Sequence, residues 1–288
     1  MAADVFDVAE VDEAIAGTEF QGRLTHVTTA TSTMDLALHA AQSGARHGVW
    51  IADEQLAGRG RGANKWHSAP GDGLYMTALI SPAIPVLSAL KLSFRVAIAV
   101  QAAIAVTTGL RVREQVDIRW PNDLMLVRPN GRQRKCGGIL IDTSSEPVSP
   151  PRPAMLRYAL VGIGLNVNHL EFPPELDEIA TSLRRELPDW PLLRREPLVA
   201  AILRELDDEI RMLTRGWRGT TTEPDRDFDT YSSWLTGKRV RVEPRDGETT
   251  EAYSGTTAGL NMHGFLRVVA DDGQLRTVLS GGLRELDN

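Results

Sequence analysis

The run VDIRWPNDLMLVRPNGRQRKCGGILIDT, residues 116–143, decides the fold class of this chain. It contains three apolar, strand-like stretches, at 116–120, 123–127 and 135–143. Asn130-Gly131, between the last two, is a strong signal for a β-hairpin turn. A fourth strand-like stretch, MLRYALVGIGLNVN, follows at 155–168. Because hairpins rather than helices join these strands, we predict an α+β fold with a mixed, largely antiparallel sheet and helices packed on it.

Outward from this run, helical and strand signals divide the chain. Strands are predicted at 47–54 and 73–80, and helices at 9–16, 32–44, 86–108 and 194–215. After Gly237, short alternating strands separated by Gly and Asp turns predict a small all-β barrel. The predicted organisation is an N-terminal lead-in, a catalytic domain and a small C-terminal domain, at 1–22, 23–236 and 237–288.

The composition is that of a globular protein with a sizeable core. The chain has 288 residues, 42% of them hydrophobic, and its net charge of −6 excludes a generally basic nucleic-acid-binding surface. A single cysteine, Cys136, excludes an intramolecular disulfide and multi-cysteine zinc sites. The apolar segment 96–110 is short for a membrane span and predicts a buried helix. No secretory signal is visible, so we expect a cytoplasmic protein that does not bind a membrane.

The Gly-rich segment GRGRGANKW, residues 58–66, is the strongest sign of a ligand site. Glycines allow backbone amides to approach a ligand closely, and Arg59 and Arg61 carry permanent, planar charges suited to carboxylate or phosphate. The standard nucleotide-binding spacings are absent. The segment therefore predicts a loop that closes over an anion, with a solvated basic loop or an RNA-holding Arg/Gly segment as the alternative.

Three further elements carry polar residues beside apolar strands. Asn122-Asp123 follows Pro121 and favours either a plain turn or a nucleotide contact, directly or through Mg²⁺. Lys135 precedes two glycines and either reaches into a pocket or guards a strand edge. Asn166 and Asn168 share one strand face, so each amide needs a partner, from a ligand or a neighbouring loop. Cys136 is interpreted as packing rather than as a nucleophile.

Together and in this order, these elements resemble the biotin protein ligases over roughly residues 25–286. The matching segments are TSTMDLA (31–37), DEQLAGRGRGANKW (53–66), RWPNDLM (119–125), KCGGILID (135–142) and GIGLNVN (162–168). The resemblance implies a two-step reaction. Biotin's carboxylate attacks the α-phosphorus of ATP to give biotinyl-5′-AMP and pyrophosphate, and a lysine of a carrier domain then takes the biotinyl group.

The resemblance also assigns site residues. It places Lys135, Arg59 and Arg61 at the reacting anions as the catalytic cations. It places the biotin contacts at Ser32, Thr33, Met34, Gln55, Arg59, Gly60, Arg61, Lys135 and Gly137. It places the ATP or adenylate contacts at Arg59, Arg61, Trp66, Asn122, Asp123, Lys135 and Asn166. Mg²⁺ is expected to arrive on the ATP phosphates rather than at a dedicated protein site.

The resemblance also implies binding partners, and this sequence departs from the family's pattern at a few positions. The acceptor would be the biotin carboxyl carrier domain of acyl-CoA or pyruvate carboxylases, and the C-terminal strands would form an SH3-like domain. The 22-residue lead-in leaves no room for the DNA-binding domain of bifunctional members, so we expect a monofunctional ligase that binds no nucleic acid. Met34 stands where the family often has Asn, and Gly62 and Asn64 stand where many members have arginine.

Two alternative functions stay open at this point. A lipoate–protein ligase shares the catalytic fold class and the adenylate chemistry, although the GRGRG loop combined with WPND favours biotin. A non-enzymatic RNA- or ligand-binding module would use the Arg/Gly loop and the small barrel, but the acidic charge and the missing stacking motifs count against it.

Overall fold

The structure, a computed structural model, describes residues 6–62, 64–146, 153–217, 228–243, 251–279 and 282–286. Its centre is a seven-stranded sheet with the strand order β1-β2-β3-β7-β6-β5-β4. The strands are β1 (Leu24–Ala30), β2 (Gly48–Gln55), β3 (Gly73–Ile80), β4 (Val116–Arg119), β5 (Asp123–Val127), β6 (Gln133–Ser145) and β7 (Leu156–Asn166). All neighbouring pairs are antiparallel except β1–β2. The predicted mixed, largely antiparallel sheet is confirmed.

Strand β1 was not predicted, because its sequence LTHVTTA is mostly polar and half exposed at the sheet edge. It runs parallel to β2, and helix α2 (Thr33–Gln42) makes the crossover between them. The predicted start of this helix is confirmed, since Ser32 is the N-cap and its side chain accepts a hydrogen bond from the Met34 amide. This crossover brings the N-terminus of α2 close to the end of β2.

Helices cover both faces of the sheet. Buried residues of α2 pack with Leu79 and Leu160 on one face. Helices α3 (Ala89–Thr108) and α6 (Arg195–Trp217) pack on each other and share the larger core on the other face. Gly109 ends α3 with a φ of 71°, as predicted, because glycine tolerates the left-handed conformation. Helix α6 continues through Gly216 to Trp217, so the predicted end of this helix at residue 215 is wrong.

The remaining helices are short. They are α1 (Val8–Ala14), α4 (Pro174–Asp177), α5 (Leu183–Glu186) and α7 (Phe228–Tyr231). Helix α1 packs against α6, and Phe6, Val11, Ile15 and Phe20 belong to the main core. One helical stretch among the described residues, Val86–Thr108, has the length and hydropathy of a membrane span. More than half of it is buried in the protein against α6 and the sheet, so it is a core helix, as predicted.

The chain ends in a five-stranded antiparallel sheet with the order β11-β10-β9-β8-β12. The strands are β8 (Thr236–Glu243), β9 (Tyr253–Leu260), β10 (Leu266–Ala270), β11 (Leu275–Val278) and β12 (Gly282–Glu285). β12 was not predicted. The described pairings leave β11 and β12 as edges, so closure into an SH3-like barrel stays a prediction, as does the domain boundary at 237. Val240, Val242, Leu266 and Val268 join the main core, so the two sheets are packed together.

Candidate active site

A single cavity of about 960 Å³ gathers nearly all of the predicted site residues. It is bordered by the N-terminus of α2, the 58–66 loop and the strands β3, β5, β6 and β7. Its lining includes Ser32, Thr33, Met34, Gln55, Arg59, Gly60, Arg61, Trp66, Asn122, Asp123, Lys135 and Asn166. Residues from five separated sequence segments therefore meet in one place.

Gly137 is the one predicted residue that does not line the cavity. A Cβ on Gly137 would meet Leu165 and Leu124 on the core side of β6, with Leu165 Cδ1 only 2.9 Å away. Its neighbour Gly138 lines the cavity instead, because successive strand residues face opposite sides of the sheet. Gly137 therefore lies outside the cavity lining in which we expected it, and Gly138 occupies that place.

Two cations are joined through one carboxylate on the cavity wall. Lys135 Nζ lies 2.7 Å from Asp123 Oδ1, while Arg119 donates from Nε and Nη2 to Asp123 Oδ2 at 3.2 and 2.6 Å. Burial of the Asp123 carboxyl would raise its pKa, but the charges of Lys135 and Arg119 outweigh burial and hold that pKa below its ordinary value. Lys135 is thereby kept at a fixed position as an ammonium donor facing the cavity.

The 58–66 loop folds back on itself beside these cations. The Trp66 amide donates to the Gly58 carbonyl at 2.9 Å, and the Gly60 amide donates to the Asn64 carbonyl at 2.9 Å. Arg59 forms ion pairs with Asp142 at 3.2 Å and Asp35 at 3.6 Å. Arg61 Nη1 donates to Asn122 Oδ1 at 3.3 Å. Side-chain contacts thus hold both arginines against the cavity wall.

A buried hydroxyl and amide network occupies the α2 side of the cavity. The Thr33 amide donates to Gln55 Oε1 at 2.9 Å, and the Thr33 hydroxyl lies 3.2 Å from the same oxygen and 2.8 Å from the Thr77 hydroxyl. Gln55 Nε2 donates to Ser68 Oγ at 3.1 Å. This cluster can donate to and accept from a polar ring whose carbonyl and N–H groups lie side by side.

Glycines on β6 and β7 make room for the large side chains of the cavity. A Cβ on Gly164 would lie 2.5 Å from Trp66 Cε2, and one on Gly138 would lie 3.2 Å from Trp66 Cζ3. A Cβ on Gly162 would lie 2.8 Å from Met34 Sδ. Lys135 Nζ lies 5.4 Å from the Trp66 ring centroid. The GIG pattern of β7 therefore gives Trp66 and Met34 their positions against the sheet.

The asparagines find protein partners. Asn122, which follows a cis Trp120–Pro121 peptide, donates to the Ile139 carbonyl at 2.6 Å. Asn166 donates to the Thr181 carbonyl at 3.0 Å, with its side chain at the cavity wall. Asn168 exchanges two hydrogen bonds with the Leu193 backbone, so a neighbouring loop satisfies it.

Cys136 packs in the core, as interpreted from sequence. It is fully buried, and burial raises the pKa of its thiol far above the ordinary value. A buried thiol of this kind is a poor nucleophile because the thiolate is the reactive form.

Several lining residues were not singled out from the sequence. They include Arg119, Gln133, Phe172 and Gly282. Arg119 lies inside a matched segment, so its charge was an available signal. Gln133 and Phe172 lie in polar or Pro-containing segments without a pattern, and Gly282 comes from the C-terminal sheet. Only their tertiary placement identifies them.

Comparison with known proteins finds similar sequences and folds. Residues 24–149 match the Biotin/lipoate A/B protein ligase family. The biotin--[acetyl-CoA-carboxylase] ligase of Mycobacterium tuberculosis is 29% identical over 225 residues, which cover 76% of this chain and 74% of that protein. A biotin protein ligase from Aquifex aeolicus, solved in complex with biotin and ATP, superposes with a TM-score of 0.70. It is 23% identical and the match covers 92% of this chain and 100% of that one, which shows a shared fold.

Other relatives are matched over part of their length. The bifunctional ligase/repressor BirA of Bacillus spizizenii is 37% identical over 170 residues, or 58% of this chain and 48% of that protein. The chain thus spans about half the length of the curated relatives with the highest identity. Residues 24–149 thus match the Biotin/lipoate A/B protein ligase family, and the chain is a homologue of biotin--[acetyl-CoA-carboxylase] ligases.

Proposed function

We propose that this protein is an ATP-dependent biotin ligase that makes biotinyl-5′-AMP and transfers the biotinyl group to a lysine of a biotin carboxyl carrier domain. The observation that carries the proposal is one cavity with a hydroxyl and amide cluster at Thr33 and Gln55 and a cationic wall at Lys135. Biotin has a ureido ring at one end and a carboxylate at the other. The ureido ring needs hydroxyl and amide partners, and the carboxylate needs a cation.

The spacing of the two ends supports this proposal. Gln55 lies on β2 and Lys135 on β6, with β3 and β7 between them in the sheet. Three strand spacings of about 4.8 Å separate their backbones by roughly 14 Å. An extended ligand that carries a polar ring and an anionic tail spans such a distance. Met34 and Leu140 line the cavity and offer apolar surface to the part between.

In the first step, the biotin carboxylate oxygen attacks the α-phosphorus, the bond to the β-phosphate bridge breaks, and pyrophosphate leaves. Two like charges at 4 Å repel by about 4 kcal/mol at an effective dielectric of 20. Lys135, Arg59 and Arg61 offset this repulsion and stabilise the charge that develops on the α-phosphoryl oxygens. Trp66 and Asn166 then contact the nucleotide, and Asn122 and Asp123 support the cations beside it.

In the second step, the neutral ε-amine of the carrier lysine attacks the biotinyl carbonyl of the mixed anhydride. The C–O bond to AMP breaks, the amine loses a proton, and an amide and AMP result. Specificity for biotin is expected from the buried hydroxyl and amide cluster, because a ligand that lacks matching groups leaves those groups unpaired.

Magnesium enters this proposal as part of the MgATP substrate. Within the described residues, no group of three or more His, Cys, Asp or Glu side chains is arranged to hold a metal ion. We assign phosphate oxygens and water as its ligands, because Mg²⁺ keeps several waters and is often bound through substrate phosphates. A cytoplasmic location is part of the same proposal, since the cytoplasm supplies ATP and newly made carboxylases.

The test is pyrophosphate release with biotin, ATP and magnesium, followed by labelling of an apo carrier domain. We expect release that depends on biotin and transfer of label to one carrier lysine. Labelling by lipoate but not by biotin would identify a lipoate ligase, which the family match also includes. Salt-sensitive RNA retention without pyrophosphate release would instead identify a binding protein.

A further inference from the structure

Trp234 lies behind the cavity wall, just before strand β8. It is 2% exposed and is among the largest side chains that the protein buries. Its indole N–H donates to Gln133 Oε1 at 2.8 Å, and the guanidinium carbon of Arg119 lies 5.7 Å from the ring centroid. Gln133 and Arg119 both line the cavity, so Trp234 contacts two cavity residues from the protein side.

Arg119 transmits this contact to Lys135. Its Nε and Nη2 both donate to one oxygen of Asp123, and the other oxygen of Asp123 pairs with Lys135 Nζ. A guanidinium that uses two N–H groups fixes the plane of the carboxylate it binds. The position of the Lys135 ammonium therefore depends on where the Arg119 fork is held.

The segment that carries Trp234 is tied down on the other side. The amide and hydroxyl of Ser233 donate to the fully buried Asp117 at 2.9 and 2.5 Å, and Gln133 Nε2 donates to the same carboxylate at 2.9 Å. The Ser232 hydroxyl donates to the Ile118 carbonyl at 2.6 Å. Loss of these donors would leave a buried carboxylate unpaired, which strongly destabilises a folded protein. These hydrogen bonds therefore fix the position of residues 232–234.

The C-terminal sheet meets the same ring. Lys238, on β8, places its ammonium 5.1 Å from the Trp234 ring centroid and pairs with Glu285 of β12. Trp234 thus lies where the C-terminal sheet joins the wall that carries Arg119.

We propose that Trp234 is a positioning residue that sets the Lys135 ammonium through Arg119 and Asp123. The activity readout rests on the proposed ligase function. Because the Trp234 ring supports the Arg119 guanidinium, we expect it to affect the rate of adenylate formation. It leaves the Thr33 and Gln55 cluster untouched, because those residues lie on α2 and β2, away from Trp234.

The test is a double-mutant cycle with Trp234→Phe and Arg119→Gln in the full chain. Phenylalanine keeps most of the buried volume but removes the N–H donor and shrinks the ring under Arg119. We expect each single variant to lower kcat for biotin-dependent pyrophosphate release by about three- to tenfold, since small misplacements of a catalytic group are costly. KM for biotin should stay within about twofold, and the double variant should be no slower than R119Q alone.

Trp190, which is 39% exposed and does not line the cavity, gives the matched control, and W190F should keep the wild-type kcat. Thermal unfolding and circular dichroism confirm that each variant is folded. A folded W234F with wild-type kcat would overturn the proposal, and so would losses that multiply in the double variant. Failure of the wild type to release pyrophosphate would instead refute the ligase function, so the two failures are distinguishable.

Discussion

The ammonium of Lys135 lies 2.7 Å from Oδ1 of Asp123, and this ion pair forms part of the wall of the cavity. The two residues come from adjacent strands, β6 and β5, on either side of the Asn130-Gly131 hairpin. Arg119 occupies the second oxygen of the same carboxylate. The carboxylate of Asp123 therefore holds the Lys135 ammonium in place while it also binds Arg119.

Lys135→Ala should remove most of the adenylate-forming activity. The substitution deletes the ammonium that faces the reacting anions, and loss of one such group typically costs about 10²–10³ in kcat. Asp123 keeps its Arg119 partner, so the melting temperature should change little. Biotin-dependent pyrophosphate release measures the effect. Lys65→Ala, which removes another lysine of the cavity lining, serves as the comparison. Unchanged release by K135A would show that Lys135 does not act on the reacting groups.

Asp123 should make the stability of the protein depend on pH in the acid range. Its folded pKa lies below the ordinary value of 3.8, so the ionised carboxylate favours the folded chain. This contribution is complete above the ordinary pKa and is lost as the pH falls through the lower folded pKa. The urea midpoint of wild type relative to D123N should be constant from about pH 7 to 5 and converge below about pH 4. A difference that grows on acidification would contradict the assigned direction.

Gly164→Ala should displace Trp66 and weaken nucleotide binding. The new Cβ would lie 2.5 Å from Cε2 of the indole, so the ring must move off β7. We expect KM for ATP to rise by about tenfold, because an aromatic contact of this size contributes about 1–1.5 kcal/mol. Gly282→Ala is the matched control, since that glycine also borders the cavity but, among the described residues, has no atom within 4 Å of an added Cβ. Equal KM values for the two variants would refute the role of Trp66.

Thr33→Val should destabilise the protein and weaken biotin binding together. Valine has nearly the same shape as threonine but leaves the fully buried Thr77 hydroxyl without its 2.8 Å partner. The expected cost is about 1–3 kcal/mol in unfolding free energy. Thr33→Ser keeps the hydroxyl and should retain most of both properties. Calorimetric biotin binding and urea unfolding test this, and a T33V protein that binds biotin as wild type does would exclude the α2 cluster as the ring site.

Much of the fold could be predicted because the responsible signals are local. The Asn130-Gly131 turn, the Ser32 cap and the left-handed Gly109 each depend on a few neighbouring residues. The cationic loop and Lys135 could be singled out by residue type, since charge and glycine content are visible without coordinates. Strand β1 could not be predicted. It lies at the edge of the sheet, where polar residues are tolerated, so its sequence lacks the apolar pattern of a buried strand.

By itself, the sequence determined the largely antiparallel sheet, the helix caps at Ser32 and Gly109, and the residue types that surround an anion. Only the tertiary structure decided that Gly138 rather than Gly137 faces the cavity, since a one-residue difference in a strand reverses the side. It alone paired Lys135 with Asp123 and placed Trp234 beside Arg119, more than a hundred residues away in the chain. The physical reason is the distance along the chain between the residues that interact. Turns and caps depend on neighbours along the chain, whereas ion pairs and ring contacts depend on how separate strands and sheets pack.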